Sequence, residues 1–216
     1  TYTSNLTNLT ANTTYYVRAY ATNEKGTSYG EEKSFTTMVE PDYNGHEYVD
    51  LGLPSGTLWA TENIKNTDGN ELYFAWGETE PKEKYSWTNY KWCDGTQNNM
   101  TKYNTTDGKT ILEPEDDAAQ VHWGDKWRMP TKDEMQELFD NCTWTEETRN
   151  GINGYIVTGQ NGNTIFVPLA GYVLPTQKGS NIEGCYWTNS QSRDKYSYSL
   201  YLSSSVHEIR NSSRLR

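Results

Sequence analysis

Four carboxylates fall within five residues at Glu113, Glu115, Asp116 and Asp117, in the stretch EPEDDAAQVHW. Two chemistries suit them. Calcium takes six to eight oxygens, many from carboxylates. Alternatively, Asp116 or Asp117 caps a short helical turn over DAAQVHW, where a carboxylate accepts from free N–H groups and meets the helix dipole. The spacing is not that of a twelve-residue calcium loop, so capping is the expectation and no cofactor is expected. Cys93, Cys142 and Cys185 are far apart and form no C-x-x-C pair, and His46, His122 and His207 show no metal-ligand spacing. No nucleophile elbow and no phosphate loop occurs. Catalysis is therefore not expected.

Contact chemistry remains. The C-terminal segment TNSQSRDKYSYSLYLSSSVHEIRNSSRLR is rich in Tyr, Ser, Asn and Arg. In binding loops Tyr supplies contact area, while Ser and Asn supply adaptable hydrogen bonds. The candidate ligand-binding residues are Trp187, Arg193, Tyr196, Tyr198, His207, Arg210 and Asn211. An ordinary solvated β face has the same composition. Leu200, Leu202 and Val206 are the inward candidates, which turns their strand neighbours outward.

These residues sit in a chain of 216 residues with 29 acidic and 19 basic side chains, net charge -10. That charge disfavours a nucleic-acid partner, which needs a basic footprint. Hydrophobic residues make up only 33%, but 8 Trp and 17 Tyr are enough to build a core. No run approaches the length of a membrane span. The opening TYTSNLTNLT carries no initiator Met or basic leader and reads as mature protein or an excised fragment.

TYYVRAYATN alternates like a half-buried strand, NEKGTSYGE supplies turn residues, and EKSFTT reads as a second strand. Leu9, Thr13, Tyr15 and Val17 have the spacing of a tyrosine corner. Residues 39–46, within MVEPDYNGH, read as a linker. Beyond it, EYVDLGLPSGTLWAT reads as two short strands around a Pro-Ser-Gly turn, and ELYFAWGE as an apolar core stretch. A long polar excursion follows, anchored by Trp87, Tyr90, Trp92 and Tyr103. The clearest helix runs from Thr131 to about Asn141. Thr131 and Glu134 form a capping box, and Met135, Leu138, Phe139 and Cys142 form one buried stripe. NGYIVTG and TIFVPLAGY flank an Asn-Gly turn as a hairpin.

The first 38 residues resemble the last strands of a fibronectin type III module, whose front would lie in a longer chain. EYVDLGLPSGTLWAT, YFAWGET, EPEDDAA, WGDKWRMPT and DNCTW together resemble the Fibrobacter succinogenes major paralogous domain of bacterial surface and secreted proteins, common in Bacteroidetes. The resemblance implies a C-type-lectin-like fold shared with formylglycine-generating enzymes. The expected fold class is thus α+β, with few helices and short antiparallel strands, over residues 47–216, preceded by the partial all-β segment at 1–38. It implies an extracellular or cell-surface recognition or adhesion role, with a protein or glycan ligand on the C-terminal strands and loops. A display domain diversified by a retroelement is the alternative. The related oxidases use a close pair of copper-binding thiols, which this spacing does not supply. Glu113-Pro114-Glu115 echoes the Glu-Pro-Asn loop of C-type lectins, but out of its usual place. Many members carry Cys where this chain has Glu62. The seven N-x-[ST] triplets, at Asn5, Asn8, Asn12, Asn99, Asn104, Asn141 and Asn211, are expected by chance in an Asn- and Thr-rich bacterial chain.

Overall fold

The computed structural model describes Leu6, Leu9 and residues 13–37, 42–174, 177–178 and 182–215. The triplets at Asn5, Asn8 and Asn12 and linker residues 39–41 lie outside them. The chain divides into two compact units, Thr1–Asp42 and Tyr43–Arg216.

The first unit is a hairpin of β1 (Thr14–Asn23) and β2 (Gly26–Thr36). β2 starts six positions earlier than the stretch EKSFTT suggests, because Thr27, Ser28 and Tyr29 pair with Thr22, Ala21 and Tyr20. The turn is correspondingly tight, closed by Asn23 Oδ1 accepting from Lys25 N at 2.8 Å. Cross-strand pairs hold the register: Tyr15 stacks on Phe35 with centroids 5.9 Å apart, and Arg18 meets Glu32 at 3.0 Å. A register shift between Arg18 and Tyr20 breaks the simple alternation read from the sequence.

After β3 (Asp42–Tyr43), which starts on the last residue of the first unit, the second unit holds β4 (His46–Asp50), β5 (Leu58–Ala60), α1 (Ala118–Trp123), α2 (Lys132–Asn141), β6 (Thr143–Arg149), β7 (Ile152–Thr158), β8 (Thr164–Pro168), β9 (Val173–Leu174), β10 (Gln177–Lys178), β11 (Glu183–Arg193), β12 (Tyr196–Ser203) and β13 (His207–Ser213). The segment read as linker therefore contains β3 and a turn at Asn44 and Gly45, both with positive φ. The architecture is mostly β, with small antiparallel sheets ordered β3-β4-β5, β6-β7-β8 and β11-β12-β13 and, among the described residues, two α-helices.

α2 begins where its capping box directs it. Thr131 Oγ1 accepts from Glu134 N at 3.1 Å, and Glu134 Oε2 accepts from Thr131 N at 2.8 Å. Its apolar stripe buries Met135 and Leu138 against Leu200 and Leu202 of β12 and Val157 of β7, with Leu51 after β4. Arg128 pairs with Glu134 and, as the largest influence, holds that carboxyl down at about 2. Thr131→Ala should cost about 1 kcal/mol, the usual value of an N-cap, read as a lower urea midpoint. An unmoved midpoint would show that the box contributes nothing.

The turn QNGN joins β7 to β8 and fastens β4 as well, since Asn161 and Asn163 donate to Asp50 O at 2.9 and 2.8 Å. Only glycine fits at position 159, where a Cβ would stand 2.0 Å from Leu51 O. β6, the charged stretch TWTEETR, carried no alternation signal. It pairs with β7 along its whole length, and its Trp144 stacks on Phe139 of α2 with centroids 4.8 Å apart.

Candidate functional site

The carboxylate cluster is built on a 3-10 turn at Pro114–Asp116 leading into α1. Asp117 is the N-cap: its Oδ1 accepts from Ala119 N at 3.0 Å and Gln120 N at 3.2 Å, and its Oδ2 from Met129 N at 2.9 Å. One side chain thus starts α1 and ties down the WRMPT segment. Asp116 is fully buried. It meets Lys102 Nζ at 2.6 Å, Lys91 Nζ at 3.0 Å and the Tyr103 hydroxyl at 2.7 Å. Glu113, Glu115 and Asp116 bring oxygens within 4.8 Å of one another, the geometry of a cation site. The Lys102 ammonium contacts all three and takes the cation's position. Adding calcium or a chelator should leave the melting temperature unmoved. A site saturated at about 100 times its dissociation constant would add about 2.7 kcal/mol, a readily seen upward shift.

Cys93 Sγ donates to Trp87 O at 2.8 Å, and Cys142 is the C-cap of α2. Burial pushes both thiols up, the opposite of what a reactive thiolate needs.

The seven candidate ligand residues divide between the two faces of the β11-β12-β13 sheet. Trp187 and Arg210 both pair with Ser199 and share its face. Trp187 donates Nε1–H to Phe74 O at 2.9 Å and packs against Trp76, Tyr103 and Leu112. Arg210 lies over the Tyr201 ring at 3.3 Å, with Nε and Nη2 buried and unpartnered. Tyr196, Tyr198, His207 and Asn211 have the register of Leu200 and Leu202 on the opposite face. His207 stacks on Phe139 and Trp144 beside the core, with centroids 5.5 and 5.8 Å apart. At the other end of β13, Asn211 pairs with Tyr198, whose ring carries Lys132 Nζ at 5.3 Å. The Arg193 guanidinium lies 5.3 Å from the Tyr196 ring. Arg193, Tyr196, Tyr198 and Asn211 therefore share one end of the sheet, while Trp187, Arg210 and His207 do not join them.

The outward orientation expected of the neighbours of Leu200 and Leu202 is corrected here. Ser197 and Ser199 are fully buried, so the second face of the sheet is covered as well; on that face Trp187 packs against Trp76, Tyr103 and Leu112. Val206, expected inward, lies after β12 in the turn to β13 and is exposed.

No family model, no curated protein and no solved structure matches this chain.

The structure also shows a cavity of about 510 Å³, walled by Trp59, Phe74, Trp123, Phe166, Tyr172 and Trp187 among others. Glu62, Glu71 and Glu78 reach it. A bond from Lys65 chiefly keeps Glu62 ionised, holding its carboxyl below the usual range. Of the ligand candidates only Trp187 lines this cavity. The stretch YFAWG, read as core, is divided: Ala75 and Trp76 are buried, while Tyr73 and Phe74 are wall. Composition carried no signal for the cavity, since its wall comes from segments more than a hundred residues apart.

Proposed function

We propose that this chain is a non-catalytic recognition module of the cell surface or extracellular space, with a C-type-lectin-like second unit of the major paralogous type. The fibronectin type III-like hairpin is its spacer. Five motifs in family order support the family, and the capped α2 packed on short antiparallel strands suits the fold. The observation that carries the binding role is the end of the C-terminal sheet where Arg193 and Asn211 are exposed and Tyr196 and Tyr198 half-buried. There Arg193 lies on Tyr196 and Lys132 on Tyr198, with Asn211 beside them. Aromatic rings held under cations are stiff contact platforms with polar rims, the composition of binding hot spots. A protein or glycan surface is the partner class.

The test replaces Arg193, Tyr196 and Tyr198 with Ala together. Binding to the host or bacterial surfaces that the intact protein decorates should fall at least about a hundredfold, as expected when more than one hot-spot residue is lost. The melting temperature should change little. A folded variant that binds at full strength would remove this patch from the function.

A further inference from the structure

We propose that the cavity walled by β5 and β8 takes an extended, uncharged segment of a partner protein, which adds a strand to the free edge of β5. Side chains alternate between the two faces of a strand, so a wall that takes every position in turn shows the strand's edge. Residues 57–61, through the whole of β5, and 165–168 of β8 line the cavity without a gap. Both strands end their sheets, β5 beside β4 alone and β8 beside β7 alone. The ladders fix which backbone groups are free, because antiparallel pairs alternate between bonded and non-bonded. Thr61 N donates to Glu47 O at 3.1 Å, so Trp59 bonds to Val49, while Leu58 and Ala60 turn their N–H and C=O away from β4. Likewise Gly159 N donates to Asn163 O at 2.9 Å and Leu169 N to Asn153 O at 2.7 Å, which turns Phe166 and Pro168 away from β7. The Tyr186 hydroxyl donates to Pro168 O. Among the described residues no group of the protein bonds to the outward N–H and C=O of Leu58, Ala60 or Phe166.

An open edge is a template for another strand, and native sheets blunt it with a charge, a proline or a bulge. β5 is Leu58, Trp59 and Ala60, with neither charge nor proline, and its pairing with β4 has no bulge. The wall then chooses the occupant. A compact apolar molecule would meet Phe74, Phe166 and Trp187 but leave the backbone groups unpaired. The charged lining residues are of both signs: Glu62, Glu71, Glu78, Lys126 and Arg128. Lys65 meets Glu62 and Lys82 meets Glu78, each at 2.6 Å, and Glu134 meets Arg128 at 2.5 Å. Glu71 accepts from the neutral Asn63 amide at 3.0 Å, and Lys126 lies over the Tyr43 ring at 4.6 Å. One group of each sign is thus left without an ion pair among the described residues, and the wall selects neither an anion nor a cation. A peptide main chain is neutral and brings both donors and acceptors to Leu58 and Ala60, while its alternate side chains seat among the rings. The net charge of -10 sets copies of this chain against one another, so the segment comes from a different protein. Arg193, Tyr196 and Tyr198 are not among the lining residues, so this site stands apart from their patch.

The experiment titrates the isotope-labelled full chain with a positional library of blocked, uncharged pentapeptides in which aliphatic or aromatic residues alternate with Thr. Assigned backbone amides are followed by NMR. The expected result is a saturable shift of the Leu58 and Ala60 amides with at least one pool, and slower hydrogen exchange at both. In Ala60→Pro the affinity should fall about tenfold, the effect of one lost hydrogen bond. The fold should persist, because a proline on an edge strand with its nitrogen turned outward removes no ladder bond. If Ala60→Pro does not fold, the peptide carries the test: N-methylating one alternate set of its amides should weaken binding to the unaltered chain about tenfold. Leu58 and Ala60 amides unmoved by every pool overturn the proposal. So does a shift given by decanoate or tetramethylammonium but by no peptide, or a peptide affinity unchanged by both the proline and the methylation. Protection of the two amides that rises with the concentration of the chain alone would make a second copy the occupant, and overturns it too. Arg193→Ala should leave the peptide response intact, and a response lost there would move the peptide to the sheet end. Peptide binding in the cavity and surface binding at the sheet end can thus fail separately.

Discussion

Trp76→Ala should cost the second unit about 3–5 kcal/mol, the range for deleting a large buried aromatic. The indole is fully buried and joins three segments. Its Nε1–H donates to Thr188 O of β11 at 2.8 Å, and its ring meets Tyr103 of the excursion edge-on with centroids 5.1 Å apart. The guanidinium of Arg214, itself fully buried, lies 4.7 Å from the ring. The backbone N–H of Trp76 also donates to Arg214 O at 2.8 Å. Alanine would leave the Thr188 carbonyl and a buried guanidinium facing a void. Against a typical total stability of about 5–15 kcal/mol, such a loss is a large fraction of the whole. Urea denaturation followed by far-ultraviolet circular dichroism should show a much lower midpoint. Trp76→Phe keeps a ring and loses the N–H, and should fall between. A cost under about 1 kcal/mol for Trp76→Ala, the scale of an ordinary surface substitution, would mean that the excursion is not fastened here.

Local chemistry was legible in the sequence, and long-range closure was not. The start of α2, the Asp117 cap, the β4–β5 and β7–β8 pairings and the buried Leu200 and Leu202 follow from signals a few residues long: a capping box, an Asn-Gly turn, a period of two or four. The anchoring of the excursion through Tyr90 and Tyr103 followed from aromatic content, because in a polar segment such rings have little to do but bury. What failed needed distant partners. Ser197 and Ser199 looked outward because they alternate with Leu200 and Leu202, yet both are fully buried, and Ser199 finds a hydroxyl partner in Ser212 at 2.7 Å. Trp187 and Arg210 looked available for the same reason. β6 was invisible because its residues are mostly polar or charged and its partners lie elsewhere in the chain, β7 alongside it and Phe139 of α2 stacked on Trp144. The candidate ligand set mixed both faces of one sheet: Arg210 and Asn211 are consecutive on β13, and a shift in register between Trp187 and Gln191 separates Trp187 from Arg193.

Lys102→Met should cost about 3 kcal/mol near neutrality, the lower end for breaking a buried ion pair. The lower end applies because Lys91 and Tyr103 still reach Asp116. The Lys102 ammonium lies among Glu113, Glu115 and Asp116, and its removal leaves a fully buried carboxylate with one exposed cation. Burial alone would raise the Asp116 carboxyl. The bonds from Lys102, Tyr103 and Lys91 outweigh it and hold the group below its ordinary value. A carboxyl lowered by folding stabilises the native state above its unfolded pKa, about 3.9, and that contribution fades as pH falls through the folded value. The difference between the wild type and Lys102→Met should therefore be widest near neutrality and shrink as pH falls below the ordinary carboxylate range, toward the lowered value at which folded Asp116 takes up a proton. Adding Asp116→Asn to Lys102→Met should recover part of the loss, because it removes the stranded charge. Lys102 also lies over the Trp92 ring at 4.6 Å and the Tyr103 ring at 5.0 Å. A difference that persists undiminished in acid would assign its role to packing on those rings.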